Sequence, residues 1–209
     1  EIGRNFSNKL WNACRFLYPQ LEQAGALAAE LPMDKNLFAL EDKWILSRLQ
    51  TTIKDATRML EEYHFAELAG FLYRFVWDDV CSSYLEIKKA VINSETLTAE
   101  KKNAMAILSY VLKNVLDLLH PVMPFITEEI FCTLKEAEGT LEQNESIMIS
   151  EWPTFCECRN YAAEEEAIER IKEAVKAIRN VRTTMNVPPS KKAAVFVVSD
   201  EAAVRDTFE

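Results

Sequence analysis

The sequence predicts a mainly α-helical protein: an antiparallel bundle of five or more helices, then the truncated start of a small α/β appendage. Apolar residues recur at helical spacing as far as about residue 187, which is the pattern of amphipathic helices. The chain contains only 4 glycines, which is few for a fold rich in tight turns. The loops between the helical runs are short, which favours antiparallel packing of neighbours.

The first helix is predicted over about residues 3–17, because Pro19 disfavours helical backbone at the residue before it. A loop that contains Gly25 and Pro32 follows it. The second helix covers about residues 41–63, where apolar side chains recur every three to four residues.

The third predicted helix, about residues 65–92, is apolar on more than one face, so we expect it near the centre of the bundle. Thr98 is a candidate N-cap for the fourth helix, which ends at Leu119 before a proline. The fifth helix covers about residues 124–137, and Gly139 is a typical signal for its C-terminal end.

Residues 140–160 are predicted to be irregular, although residues 147–149 are compatible with a short strand. A sixth helix covers about residues 163–185, and two prolines end it. Residues 193–198 form an apolar, β-branched run that predicts a buried strand, and residues 201–209 begin another helical pattern.

A single strand needs a partner, so this C-terminal part indicates a small α/β appendage with further strands beyond the sequence. We therefore divide the chain into a helical bundle over residues 1–160 and a second part over residues 161–209. The second part holds the long sixth helix and the start of the appendage.

The five cysteines predict neither a disulfide framework nor a metal site. Cys14, Cys81 and Cys132 fall in apolar helical patterns, where cysteine is usually a small buried side chain. Cys156 and Cys158 are spaced C-x-C, and no second pair or nearby histidine completes a zinc site. Reduced cysteines fit a cytoplasmic protein, and no apolar run approaches the roughly 20 residues of a membrane span.

Charge is unevenly distributed along this acidic chain, whose formal net charge is -9. Residues 2–21 and 174–199 contain basic side chains and no acidic ones, whereas residues 128–169 carry 12 Glu. This separation favours an anionic partner at the two basic segments. The alternative is that the charged runs are ordinary solvated faces.

The first helix has an unusual polar face. Its apolar stripe faces away from an arc that lacks carboxylates and consists of Asn5, Asn8, Lys9, Asn12, Arg15 and Phe16. Asparagine can pair with base edges, cations suit phosphates, and an exposed aromatic ring can stack on an unpaired base. Alternatively, Phe16 packs on a neighbouring helix and the asparagines form hydrogen bonds between helices.

Residues 3–16 read G-R-N-F-S-N-K-L-W-N-A-C-R-F and resemble the segment that opens the anticodon-binding domain of the valyl-tRNA synthetases. Further segments resemble the same family in order and spacing: residues 42–49, 77–86, 120–129, 151–153, 178–182 and 185–191. The first and last segments are specific to the valine enzymes. The middle ones are shared with the isoleucyl and leucyl relatives.

The resemblance implies a class I aminoacyl-tRNA synthetase, which attaches valine to tRNA(Val) using ATP with magnesium. The catalytic and editing domains of that family lie upstream, and their signatures are absent from this sequence. We therefore expect a non-catalytic fragment that needs no cofactor of its own. The implied partners are the anticodon stem-loop of tRNA(Val) and the upstream catalytic domain of the same chain, in a cytoplasmic monomer with no membrane contact.

The resemblance and the helical positions together place the tRNA-binding site on the first helix. We expect Phe16 to stack on a base of the anticodon loop. Lys9, Asn12 and Arg15 are expected to contact bases or phosphates. Asn5 is expected to support them.

Arg4 and Asn8 are secondary candidates for the tRNA-binding site. They would otherwise brace the junction with the catalytic domain. The basic residues between 176 and 192 are a further candidate for contacts with the RNA backbone.

Two other interpretations remain open at this stage. One is the anticodon domain of an isoleucyl- or leucyl-type relative. The other is a helical scaffold that docks a protein instead of RNA. Neither His64 nor His120 has a nucleophile or paired carboxylate at a spacing typical of catalysis.

Overall fold

The protein was analysed as a computed structural model, which describes residues 1–24, 33–188 and 190–208. The helices are α1 (Ile2–Ala24), α2 (Leu40–Glu61), α3 (Phe65–Arg74), α4 (Leu85–Ile92), α5 (Ala99–Leu119), α6 (Pro124–Glu138), α7 (Ala162–Thr184) and α8 (Ala202–Thr207). A π-helix, Phe75–Tyr84, joins α3 to α4. No strand occurs among the described residues. The prediction of a mainly α-helical bundle is therefore confirmed.

The chain forms two compact units, Glu1–Asn160 and Tyr161–Glu209. In the first unit α5 is the most enclosed helix, because every residue from 103 to 109 is buried. The continuous helical rod from α3 to α4 packs against α1, α2 and α5. Its central placement agrees with the apolar pattern of residues 65–92.

The end of α1 differs from the prediction. The helix does not stop before Pro19 but continues to Ala24 with the proline inside it. Leu21 and Ala24 extend the apolar stripe and are buried, and α1 packs against α6. Burial of that stripe outweighs the hydrogen bond that a proline removes from a helix. The predicted loop with Gly25 and Pro32 lies outside the described residues.

The third predicted helix spans the expected residues, but its middle third winds as a π-helix. Ser82 Oγ donates to the Trp77 carbonyl oxygen at 2.7 Å, and Ser83 Oγ donates to the Asp78 carbonyl oxygen at 2.8 Å. Both bonds reach back five residues, as π-helical winding requires. Such segments are uncommon and frequently coincide with functional sites.

A buried polar cluster joins the start of α2 to the end of the π-helix. The Asp42 carboxylate accepts hydrogen bonds from the Tyr84 hydroxyl at 2.8 Å and from Lys88 Nζ at 2.9 Å. It also caps α2 by accepting from the backbone amide of Ala39 at 3.0 Å. The Lys88 ammonium reaches Glu41 at 2.8 Å as well, so these buried charges are paired, as burial requires.

Residues 140–160 contain turns instead of the short strand considered above. Ile147–Ile149 is a single 3₁₀ turn, which Glu128 holds by accepting from the Ile147 backbone amide at 3.2 Å. The expectation that all cysteines are reduced is wrong for Cys156 and Cys158, which form a disulfide bond. Their Cα atoms lie 5.3 Å apart, within the range that a disulfide can bridge.

The second unit contains α7 and α8. Residues 193–198 form no strand, and the side chains of Phe196 and Val198 are exposed. Because strand pairing needs a second strand, β-propensity alone does not fold this segment. The predicted α/β appendage is therefore not formed by the described residues. None of the described helices is long and apolar enough to cross a membrane.

Candidate nucleic-acid interface

Packing of α1 fixes which of its faces is available to a ligand. The predicted apolar stripe is buried in the first unit, with Phe6, Leu10, Ala13 and Leu17 at 4% exposure or less. The opposite arc therefore points outward. Its exposed members are Asn5, Asn8, Asn12 and Arg15, and Arg4 is exposed on the same helix.

These five exposed polar side chains of α1 are free to meet a ligand. Within the part of the chain that the structure describes, none of them makes a side-chain hydrogen bond or an ion pair. The alternative in which the asparagines join helices by hydrogen bonds finds no support among these residues. Phe16 is half-buried, so part of its ring packs in the bundle and part is reachable.

Lys9 is held differently from its neighbours on α1. Its Nζ donates to Ser82 Oγ at 2.7 Å and lies 3.9 Å from the centre of the Trp77 ring. Both partners belong to the π-helix. At this distance the ammonium is attracted to the negative face of the indole. Lys9 is thus fixed at the edge of the exposed face of α1.

Further aromatic rings pack next to Trp77. The Tyr73 ring stacks on Trp77 with centroids 5.4 Å apart and planes at 16°, and the Phe6 ring lies 5.1 Å from Tyr73. Helical spacing could not identify Trp77 and Ser82 as neighbours of Lys9, because they lie on another helix. The one available signal was the W-x-x-x-C pattern that begins at Trp77.

The electrostatic surroundings of Lys9 are mixed. Burial raises the pKa of the Cys81 thiol to about 11, and the nearby Lys9 ammonium opposes that shift. Asp79 on the same π-helix is buried and ion-paired with Arg48 at 3.2 Å. α1 itself carries no acidic residue from position 2 to position 21. The exposed face of α1 therefore presents cations, amides and an aromatic edge to solvent.

The two histidines make local contacts within the first unit. His120 Nδ1 lies 2.8 Å from Thr127 Oγ1 at the start of α6, where it braces a helix junction. His64 lies 3.6 Å from Glu62 and 3.5 Å from Glu67 at the exposed turn before α3. Among the described residues, no group of His, Cys, Asp or Glu is arranged to hold a metal ion.

The second basic segment belongs to the second unit. Lys176 and Arg179 are exposed on α7. The Arg182 guanidinium instead donates to the carbonyl oxygens of Pro188 and Lys191, each at 2.6 Å. Arg182 therefore has a structural role at the end of α7.

Known proteins are similar to this chain over most of its length. The family described as anticodon-binding domain of tRNA ligase matches residues 42–197. The valine–tRNA ligase of Geobacillus stearothermophilus is 39% identical over 208 residues, which cover 98% of this chain and 22% of that protein. The enzyme of Clostridium acetobutylicum is 40% identical over 209 residues, covering 100% and 22%.

The valine–tRNA ligase of Staphylococcus carnosus is 36% identical over 205 residues, which cover 98% of this chain and 22% of that protein. The chain thus spans about a fifth of the length of these relatives. The family match begins after α1.

Proposed function

Because the chain belongs to the anticodon-binding domain family of tRNA ligases, we propose that it binds the anticodon stem-loop of tRNA(Val) through the exposed face of α1. The relatives at 36% to 40% identity are valine–tRNA ligases, which favours the valine enzyme over the isoleucyl and leucyl relatives. Its parent would attach valine to tRNA(Val) with ATP and magnesium in a catalytic domain of the same chain. We place that parent in the cytoplasm as a monomer.

The proposal rests mainly on the residue types of the exposed face of α1 and on the absence of hydrogen-bond and ion-pair partners for its polar side chains among the described residues. Asparagine amides and arginine guanidinium groups project from it without partners in the described residues. Unstacked loop bases are recognised by stacking and by hydrogen bonds along their edges. Phe16 would stack on a base, while Asn12 and Arg15 would contact bases or phosphates.

The remaining α1 residues would support this contact. Lys9 would meet a phosphate or a base from its position beside Trp77. Asn5 would assist it, and Arg4 with Asn8 would extend the contact or brace the catalytic domain. The exposed cations of α7 are a second candidate for the RNA backbone.

The test is binding of an anticodon hairpin with A at the middle position and C at the third, which valine anticodons share. An isoleucine hairpin serves as the competitor, and affinity is measured across a salt series. We expect tighter binding of the valine hairpin and a loss of affinity with salt, because bound cations displace counterions from the phosphates. Arg15→Ala should weaken binding, whereas Lys54→Ala removes an exposed cation of α2 and should not.

Three outcomes would contradict the proposal. Equal binding of both hairpins would point to a relative with a different specificity or to base recognition elsewhere. Absence of binding at low salt would favour the docking scaffold instead. Equal losses in the Arg15 and Lys54 variants would remove α1 from the interface.

A further inference from the structure

Lys9 differs from the ion-paired lysines of the first unit in the kind of group that holds it. Lys88 is bound by the carboxylates of Glu41 and Asp42, and Lys113 is bound by the carboxylate of Glu138 at 2.7 Å. Lys9 is bound by a hydroxyl and an aromatic face, and it has no carboxylate partner among the described residues. Neutral partners fix its position without cancelling its charge.

The π-helix supplies both neutral partners at once. Because Ser82 donates its own hydroxyl proton to the Trp77 carbonyl oxygen at 2.7 Å, the hydroxyl oxygen is oriented to accept from Lys9. The five-residue winding brings this hydroxyl and the Trp77 ring to the same side of the helix. Two of the three donors of the ammonium group remain for a ligand.

We propose that Trp77 and Ser82 are positioning residues, which hold the Lys9 ammonium in place for a phosphate or base of the bound RNA. This inference rests on the proposed function and deepens it. A free lysine side chain must be ordered when RNA binds, and that ordering lowers affinity. A lysine already seated between Trp77 and Ser82 avoids most of the cost.

Ser83 provides a matched control for Ser82. Its hydroxyl makes the same five-residue bond to the π-helix backbone, at 2.8 Å to the Asp78 carbonyl oxygen, but no contact with Lys9. Ser82→Ala and Ser83→Ala therefore remove equivalent backbone bonds, and only the first removes a partner of Lys9. Melting curves of both variants would verify that each is folded.

The experiment measures hairpin affinity for the unaltered chain, Ser82→Ala, Ser83→Ala, and each serine variant combined with Lys9→Ala. We expect Ser82→Ala to weaken binding about 2- to 10-fold, the range for ordering one flexible side chain. Ser83→Ala should bind like the unaltered chain. Once Lys9 is replaced by Ala, Ser82→Ala should cause no further loss, because its effect acts through Lys9. Ser82→Thr, which keeps the hydroxyl, should restore binding.

Three results would overturn the inference. Ser82→Ala could bind normally, it could weaken binding no more than Ser83→Ala, or it could cause the same loss with and without Lys9. The last two results would assign Ser82 to the folding of the π-helix. If the unaltered chain does not bind the hairpin, the proposed function fails first and this inference falls with it.

Discussion

At the scale of single residues, the sequence identifies the polar face of α1 but not what surrounds it. Helical spacing assigns Asn12 and Arg15 to one arc, and the structure leaves both exposed. Spacing within one helix says nothing about Ser82, which is 73 positions from Lys9. Contacts between helices depend on packing, and no local pattern encodes them. The sequence could therefore supply a list of candidate residues on α1, which stays a prediction, but not the partners that fix Lys9.

Replacing Phe16 tests the residue that we expect to stack on a base. Phe16→Ala should weaken binding of the valine hairpin by about 1–3 kcal/mol, which is the usual effect of removing one stacked ring. The affinity is measured by titration at constant salt. Phe125 is 91% exposed on α6, so Phe125→Ala removes an exposed aromatic ring of another helix as a control. Unchanged affinity in a folded Phe16→Ala variant would remove this ring from the interface.

At the scale of elements, periodicity and end signals predicted most helix positions well. Thr98 caps α5 as expected, with its hydroxyl oxygen accepting from the Lys101 backbone amide at 3.2 Å. The failures are those that local rules cannot resolve. The proline rule ended α1 too early because it does not weigh the burial of Leu21. The spacing of apolar residues does not distinguish α-helical from π-helical winding over Phe75–Tyr84. The β-branched residues at 193–198 favour a strand, but a strand forms only with a partner strand.

The end of α6 offers a test of one such signal. Gly139 has a φ of 71°, in the left-handed region, and nothing lies within 4 Å of an added Cβ. Gly139→Ala should therefore lower the free energy of unfolding by about 1 kcal/mol through backbone strain alone. Urea denaturation measures this change.

Gly70 gives the opposite expectation for the same substitution. It lies inside α3, and an added Cβ would meet only Arg74 Nη1, at 3.8 Å. Gly70→Ala should raise the free energy of unfolding by up to about 1 kcal/mol, because alanine favours helix. Unchanged stability of Gly139→Ala would contradict the strain assigned to its left-handed backbone, and a loss of stability in Gly70→Ala would contradict the gain expected from helix propensity.

At the scale of the whole molecule, the fold buries several groups that ionise in alkaline solution. Burial is the main cause that raises the pKa of Cys14, Tyr18, Cys81 and Tyr84 in the first unit. In the unfolded chain, cysteine and tyrosine ionise near 9.0 and 10.0. Above these values the unfolded state therefore binds fewer protons than the folded state.

Stability should consequently be highest below about pH 9 and fall as pH rises. The pKa of Cys81 is raised to about 11, so its contribution is present below pH 9 and lost between pH 9 and about 11. Urea unfolding at several pH values from about 7.5 to about 11 measures the decline, because these thiols and phenols ionise over that range in the unfolded chain. Cys81→Ala should flatten the curve in that interval. An unchanged slope in this variant would contradict the assignment.

The π-helix also affects how the continuous helix from α3 to α4 packs against α2 and α5. A π turn takes more residues than an α turn, so each residue advances by a smaller angle and the side-chain phase lags. Over the ten residues Phe75–Tyr84 this lag turns the apolar stripe of α4 away from the line set by α3. α3 packs against α2 and, less extensively, against α5, whereas α4 packs against α5 and reaches α2 through the Lys88–Asp42 ion pair. We expect uniform α winding of Phe75–Tyr84 to turn Lys88 away from Asp42, because each residue would then advance by a larger angle around the helix axis.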